Sequence, residues 1–147
     1  INIGDIVVAT DAVNHIMDVR NLGYAAGQTP GLDTLAFPTS PALSKAVIAA
    51  AGRIGATVHT GRVASGDRFV RDDFEKQRIV EDFGAKCCEM EGAAITQVAW
   101  ANGVPAAIVR AISDKADGSS SIDYPTFEAQ AARNSAALVI SMLEQRG

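Results

Sequence analysis

Glu89 and Glu91 stand two residues apart in the run Glu89-Met90-Glu91. On a strand this spacing turns both carboxylates to one face. Buried like charges so close together are costly without partners. The pair therefore reads either as a solvated strand end or as a site that grips hydroxyls or cations. A carboxylate accepts several hydrogen bonds, which suits the adjacent hydroxyls of a ribose. Asp114 ends a second run, Arg110-Ala111-Ile112-Ser113-Asp114, and is either a turn cap or a working group at a strand end. Arg110 interrupts an apolar strand, and a buried guanidinium needs an anion. Glu89 or Glu91 on a neighbouring strand is the expected partner, in a structural ion pair or in a site. The third candidate is Ser65-Gly66-Asp67-Arg68-Phe69-Val70. Gly66 allows a sharp turn or a close approach to a ligand. Phe69 either covers a planar base or is ordinary core, and Tyr124 is open to the same two readings.

Other chemistries find little support. Gly23-Tyr24-Ala25-Ala26-Gly27 has the spacing of neither phosphate-binding fingerprint, and Ser65-Gly66-Asp67 is not a nucleophile elbow. Cys87 and Cys88 are adjacent, which suits a disulfide poorly, and they read as free, buried thiols. His15 and His59 lack ligand spacing, so no metal site is expected. The net charge is -4 with scattered basic residues, which argues against nucleic acid as a partner. No apolar run approaches the roughly 20 residues that span a bilayer, and no signal-peptide pattern opens the chain. The sequence begins at Ile1 and enters a strand within a few residues, so residues are expected to precede it.

The elements that must position these groups alternate between strand and helix. Asp5 to Ala9 reads as a buried strand. Residues 10 to 39 lack a steady period and read as one long irregular segment, of the kind that often carries function. Ser40-Pro41 is a helix start, with Leu43, Val47, Ala50 and Ile54 at helical spacing and Gly55 as the stop. Thr57 to Ser65 is a strand, Arg71 to Phe83 a helix closed by Gly84, and Lys86 to Met90 a short strand. A helix from Gly92 to Asn102 ends at Gly103. Val104 to Ile112 is nearly all apolar and reads as a strand buried on both faces. Tyr124 to Gln145 is a final helix, with Phe127, Ala131, Leu138 and Met142 on its inward stripe. This order predicts one α/β domain over residues 1–147, built on a largely parallel sheet. Ligands of such sheets sit beyond the carboxyl ends of the strands, where the three candidate runs are expected to converge.

Glu89-Met90-Glu91-Gly92-Ala93-Ala94, then Val104-Pro105, then Arg110-Ala111-Ile112-Ser113-Asp114 resemble the signature of the 5′-methylthioadenosine/S-adenosylhomocysteine nucleosidases. Gly4-Asp5-Ile6-Val7-Val8, Gly23-Tyr24 with Gly27-Gln28, and Ser65-Gly66-Asp67 with Phe69 match in order, so the resemblance spans essentially the whole chain. It implies a nucleoside phosphorylase-like, three-layer α/β/α fold with a largely parallel mixed sheet. It also implies a cytoplasmic homodimer with no metal or organic cofactor. The implied reaction is hydrolysis of the N-glycosidic bond of methylthioadenosine and S-adenosylhomocysteine, in methionine salvage.

The resemblance also implies roles. Glu91 holds the ribose hydroxyls, helped by Glu89 and the Met90 backbone. Asp114, supported by Ser113, protonates adenine, and Arg110 lies near the attacking water. Phe69 stacks on the base, the Val70 backbone reads its edge, and Tyr124 encloses the nucleoside. Val19, Leu22 and Pro30 reach the neighbouring subunit's site. Adenine leaves poorly as an anion, so Asp114 must hold a proton near neutral pH, in a site that favours its neutral form. Two departures are visible. The family's N-terminal part, which supplies the water-activating glutamate and completes the sheet, is not in this sequence. Many relatives carry an acid after the histidine where this chain has His15-Ile16. A nucleoside phosphorylase, an aminodeoxyfutalosine nucleosidase and a non-catalytic nucleoside-binding protein are the competing expectations.

Overall fold

The computed structural model describes residues 1–115 and 120–144, without the side chains of 120–126. Five strands, β1 (Ile6–Asn14), β2 (Phe37–Pro38), β3 (Val58–Ser65), β4 (Cys87–Glu89) and β5 (Val109–Ala111), form one mixed sheet. Four helices, α1 (Pro41–Arg53), α2 (Asp73–Phe83), α3 (Gly92–Ala101) and α4 (Ser120–Leu143), flank it.

β1 is the central strand. β3 pairs with it in parallel along one edge, and β4 continues the sheet in parallel from β3. The other edge is shared by two antiparallel strands, β5 against Ile6–Val8 and β2 against Asp11–Ala12. The sheet is thus parallel at its centre and antiparallel where β5 and β2 join. Alternation along β1 sorts the core. Ile6 and Val8 pack with Val47, Ala50, Ala51 and Leu138, beneath α1 and α4. Val7, Ala9 and Ala12 pack with Val63, Ala93 and Ile108, beneath α3. Val13 and Ala64 meet Ile79 and Phe83 of α2 on the first of these faces. These are the three layers expected.

Three helices begin and end where local chemistry requires. The Ser40 hydroxyl accepts from the Leu43 amide at the start of α1, and the Asp72 carboxylate accepts from the Glu75 amide at the start of α2, each satisfying an orphan donor. Gly84 closes α2 in the left-handed region, and α3 ends before Gly103.

Two strands differ from expectation. β1 runs five residues beyond Ala9, through a bulge that places one extra residue between Ala9 and Ala12. The bulge engages the polar residues that look irregular in sequence. The Thr10 carbonyl accepts from the Thr39 amide and hydroxyl, and Asp11 is held by Arg62 Nε at 2.6 Å. Within the segment expected to be wholly irregular, β2 and a short 3₁₀ turn at Arg20–Leu22 also form. Gly27, at φ 82°, presses this segment onto the core, where a Cβ would lie 2.8 Å from the Phe83 ring. Conversely, the strand expected over Val104 to Ile112 shrinks to β5, whose three residues are half-buried, not buried on both faces. Before β5, residues 104–108 meet the sheet at single points, as in the bond from the Ala9 amide to the Ile108 carbonyl.

Among the side chains described, those near the C-terminal end of α4 dock it. Leu138 is buried, Met142 packs beside it, and Arg53 reaches the Ser141 carbonyl at 2.7 Å. Of the expected stripe, Phe127 is exposed. Leu138→Ala is expected to cost about 2–5 kcal/mol of stability by denaturant unfolding. Its exposed neighbour Val139, truncated the same way, should stay within about 0.5 kcal/mol of the parent.

Candidate functional site

The Glu89 carboxylate is the centre of the polar residues. It lies at the end of β4, where the chain turns into α3, and its side chain is only 9% exposed. It accepts from the amides of Glu91 at 3.2 Å and of Gly92 at 2.8 and 2.9 Å, so it caps the first turn of α3. The Ser65 hydroxyl, at the end of β3, donates to Oε1 and in turn accepts from the Ala93 amide at 2.7 Å. Gly92 makes room, since a Cβ there would sit 3.0 Å from Oε1.

Arg110 completes the cluster. Its Nη2 donates to Glu89 Oε2 and, at 2.9 Å, to Glu91 Oε2. Both expected acidic partners are therefore used at once. They do not come from a neighbouring strand: β4 and β5 are separated by β1 and β3 in the sheet. On a flat sheet three strand spacings amount to about 14 Å, beyond the reach of an arginine. The sheet must curl around its α3 face for Arg110 to cross it. The bulge in β1 fits this, because bulges bend a strand and increase its twist. Burial pulls the Arg110 guanidinium down from its ordinary value, with Cys87 acting in the opposite sense.

A cleft of about 860 Å³ opens beside this cluster. Glu89, Met90, Glu91, Arg110, Phe69, Val70, Ser113 and Asp114 are among the residues that line it. Eight of the residues expected from the sequence thus share one cavity. Phe69 is 42% exposed there and Val70 is buried, so the ring is not ordinary core. The Ser113 hydroxyl donates to Asp114 Oδ2 at 3.4 Å. The route to the cleft differs from expectation. Ser65 and Glu89 end parallel strands, but β5 is antiparallel, so Ser113 and Asp114 leave it beside the start of β1. Ile1 lines the cleft for the same reason.

The Tyr124 side chain lies outside the described residues. Val19, Leu22 and Pro30 are not in the cleft, and Leu22 is 66% exposed. Sequence reasoning named the Ser65 run but gave Ser65 no part in the site; a hydroxyl at a buried strand end was the available signal. It also missed Lys76 of α2, whose Nζ donates to the Lys115 carbonyl at 3.3 Å, next to Asp114. Among the described residues no three metal-ligating side chains cluster, and no helix is long and apolar enough to cross a membrane.

This combination of a curled mixed sheet, helices on both faces and a cleft that gathers Glu89, Glu91, Arg110 and Asp114 has close counterparts. Residues 1–144 match the family model of the phosphorylase superfamily, and the chain belongs to that family. Within it, the similarity runs to nucleosidases. A 5′-methylthioadenosine/S-adenosylhomocysteine nucleosidase of Geobacillus kaustophilus is 40% identical over 97% of this chain and 61% of its own length. The crystal structure of the nucleosidase of the same name from Neisseria meningitidis, in complex with methylthio-immucillin-A, superposes with a TM-score of 0.93. It is 37% identical over 99% of this chain and 63% of that one. An aminodeoxyfutalosine nucleosidase of Campylobacter jejuni is 34% identical over 99% of this chain and 63% of its own length. The chain spans about three fifths of the length of these relatives.

Cys87 and Cys88 border the cleft without the properties of nucleophiles. Burial above all, with Cys88 nearby, pushes the Cys87 thiol up to about 12; burial and Glu75 do the same for Cys88. The thiolate is the reactive form, so a thiol pushed up in this way is largely unreactive at pH 8. Alkylation by iodoacetamide at pH 8, followed by mass spectrometry, should be slow in the folded protein and prompt in denaturant.

Proposed function

We propose that the whole protein hydrolyses the N-glycosidic bond of adenine nucleosides, releasing adenine from 5′-methylthioadenosine and S-adenosylhomocysteine, and also from 5′-deoxyadenosine. The observation that carries this reading is the convergence of Glu91, Asp114 and Phe69 on one cleft. Among the described residues the Glu91 carboxylate is engaged only through Oε2, by Arg110, which leaves Oε1 for ribose hydroxyls. Phe69 offers a ring to one face of the base, and the Val70 backbone offers polar groups to its edge. Asp114, steadied by Ser113, protonates the imidazole nitrogen of the leaving adenine. The base then departs neutral while the sugar acquires oxocarbenium character. The negative charge of Glu91 stabilises that developing cation electrostatically. Arg110 holds Glu91 in place and lies beside the path of the attacking water. The base that activates this water belongs to the part of the relatives that the chain does not match.

Hydrolysis is favoured over phosphorolysis by the similarity to relatives that are named nucleosidases. The Campylobacter jejuni relative supports a second reading, in which aminodeoxyfutalosine is the substrate and the chemistry is unchanged. We further take the enzyme to act as a cytoplasmic homodimer in methionine salvage, needing no metal or organic cofactor. Exposed Leu22 and Pro30, with Val19, then meet the second subunit, and Tyr124 encloses the nucleoside.

The test is adenine release from methylthioadenosine by the full-length protein, with and without phosphate. Adenine and methylthioribose should form at a rate independent of phosphate, and Asp114→Asn should lower kcat by about 100-fold or more. A sugar phosphate product would assign the protein to the phosphorylases. Unchanged turnover in Asp114→Asn would end the acid assignment.

A further inference from the structure

The sequence resemblance groups Glu89 with the residues that bind substrate, but its surroundings suit another task. Each carboxylate oxygen has about two lone-pair sites. Oε1 already takes the Ser65 hydroxyl and the Gly92 amide. Oε2 takes the Glu91 and Gly92 amides and Arg110 Nη2. No acceptor site is left for a ribose hydroxyl. Glu91 is the opposite case: its side chain is 62% exposed and held by Arg110. The same Nη2 nitrogen touches both acids.

We propose that Glu89 is a positioning residue: without touching the nucleoside, it fixes the first turn of α3 and, through Arg110, the carboxylate of Glu91. The proposal rests on the reading of Glu91 as the ribose-binding group. Three links carry it. Glu91 immediately precedes α3, so a cap on Glu91 and Gly92 fixes its backbone. Ser65 ties that cap to the end of β3. Arg110, anchored on Glu89, then sets where the Glu91 side chain rests. A misplacement of about 1 Å in such a group can cost on the order of 100-fold in rate.

The test compares Glu89→Gln, Glu91→Gln and the double variant in the full-length protein, by adenine release from methylthioadenosine and by Tm. Glu89→Gln should lower kcat/KM about 10- to 100-fold. It should also lower Tm by about 2–8 °C, because a buried cap is weakened. Glu91→Gln should lower kcat/KM while leaving Tm close to the parent value. In the double variant the Glu89 change should add little further loss of activity, since the group it positions is already gone. Multiplicative losses in the double variant would overturn the proposal, as would a Glu89→Gln enzyme with parental kcat/KM. Loss of activity with no change in Tm would overturn it too, by making Glu89 a direct ligand. A Glu91→Gln enzyme with full activity would remove the ribose reading, and the proposal with it. If Glu89→Gln does not fold, Ser65→Ala, which removes one anchor of the same carboxylate, enters the same cycle. Coupling to Glu91→Gln would support the proposal and independence would overturn it.

Discussion

The ion pair between Glu89 and Arg110 joins two strands that the sheet keeps apart. Burying one member of such a pair without the other is costly, so the contact sets a condition on everything around it. The sheet has to curl until β4 and β5 approach across the α3 face. The bulge in β1 is consistent with such curvature. α3 fills the concave side with Ala93 and Thr96, which are small enough to lie against the sheet. The cleft runs beside the Glu89 and Arg110 pair that draws β4 and β5 together.

Much of this was legible in the sequence where a local rule dictates it. Ser40-Pro41, Gly84 and Gly103 mark helix ends because orphan amides and left-handed turns have few solutions. Val47, Ala50 and Leu138 announce their burial by helical spacing. The far half of β1 is not legible because Thr10, Asp11 and Asn14 are polar, and the groups that satisfy Thr10 and Asp11, Thr39 and Arg62, lie far away in sequence. β5 is shorter than its apolar run because such a run records burial and not pairing, and residues 104–108 meet the sheet only at points. The direction of β5 follows from the path of the chain before it, which no periodicity encodes.

The candidate site divides in the same way. Strand-end position singles out Glu91 and Asp114, a charge inside an apolar strand singles out Arg110, and the cleft brings them together. What spacing cannot supply is which acid faces solvent and which faces the chain. Glu89 and Glu91 are two residues apart and of one type, yet the first is nearly buried and the second mostly exposed. The difference arises because the strand ends between them. A helix starts immediately after Glu91, and its amides claim the nearer carboxylate.

The N-terminus of a helix ordinarily attracts anions from its surroundings, since unpaired amides and the helix dipole both point outward there. In α3 that position is taken by a carboxylate three residues upstream in the same chain. Occupancy is therefore set by covalent connection and not by mass action, and the local concentration of this anion does not vary with the medium. Chloride, sulfate or phosphate would have to displace a tethered competitor. The N-terminus of α3 is thereby closed to anions from the solution.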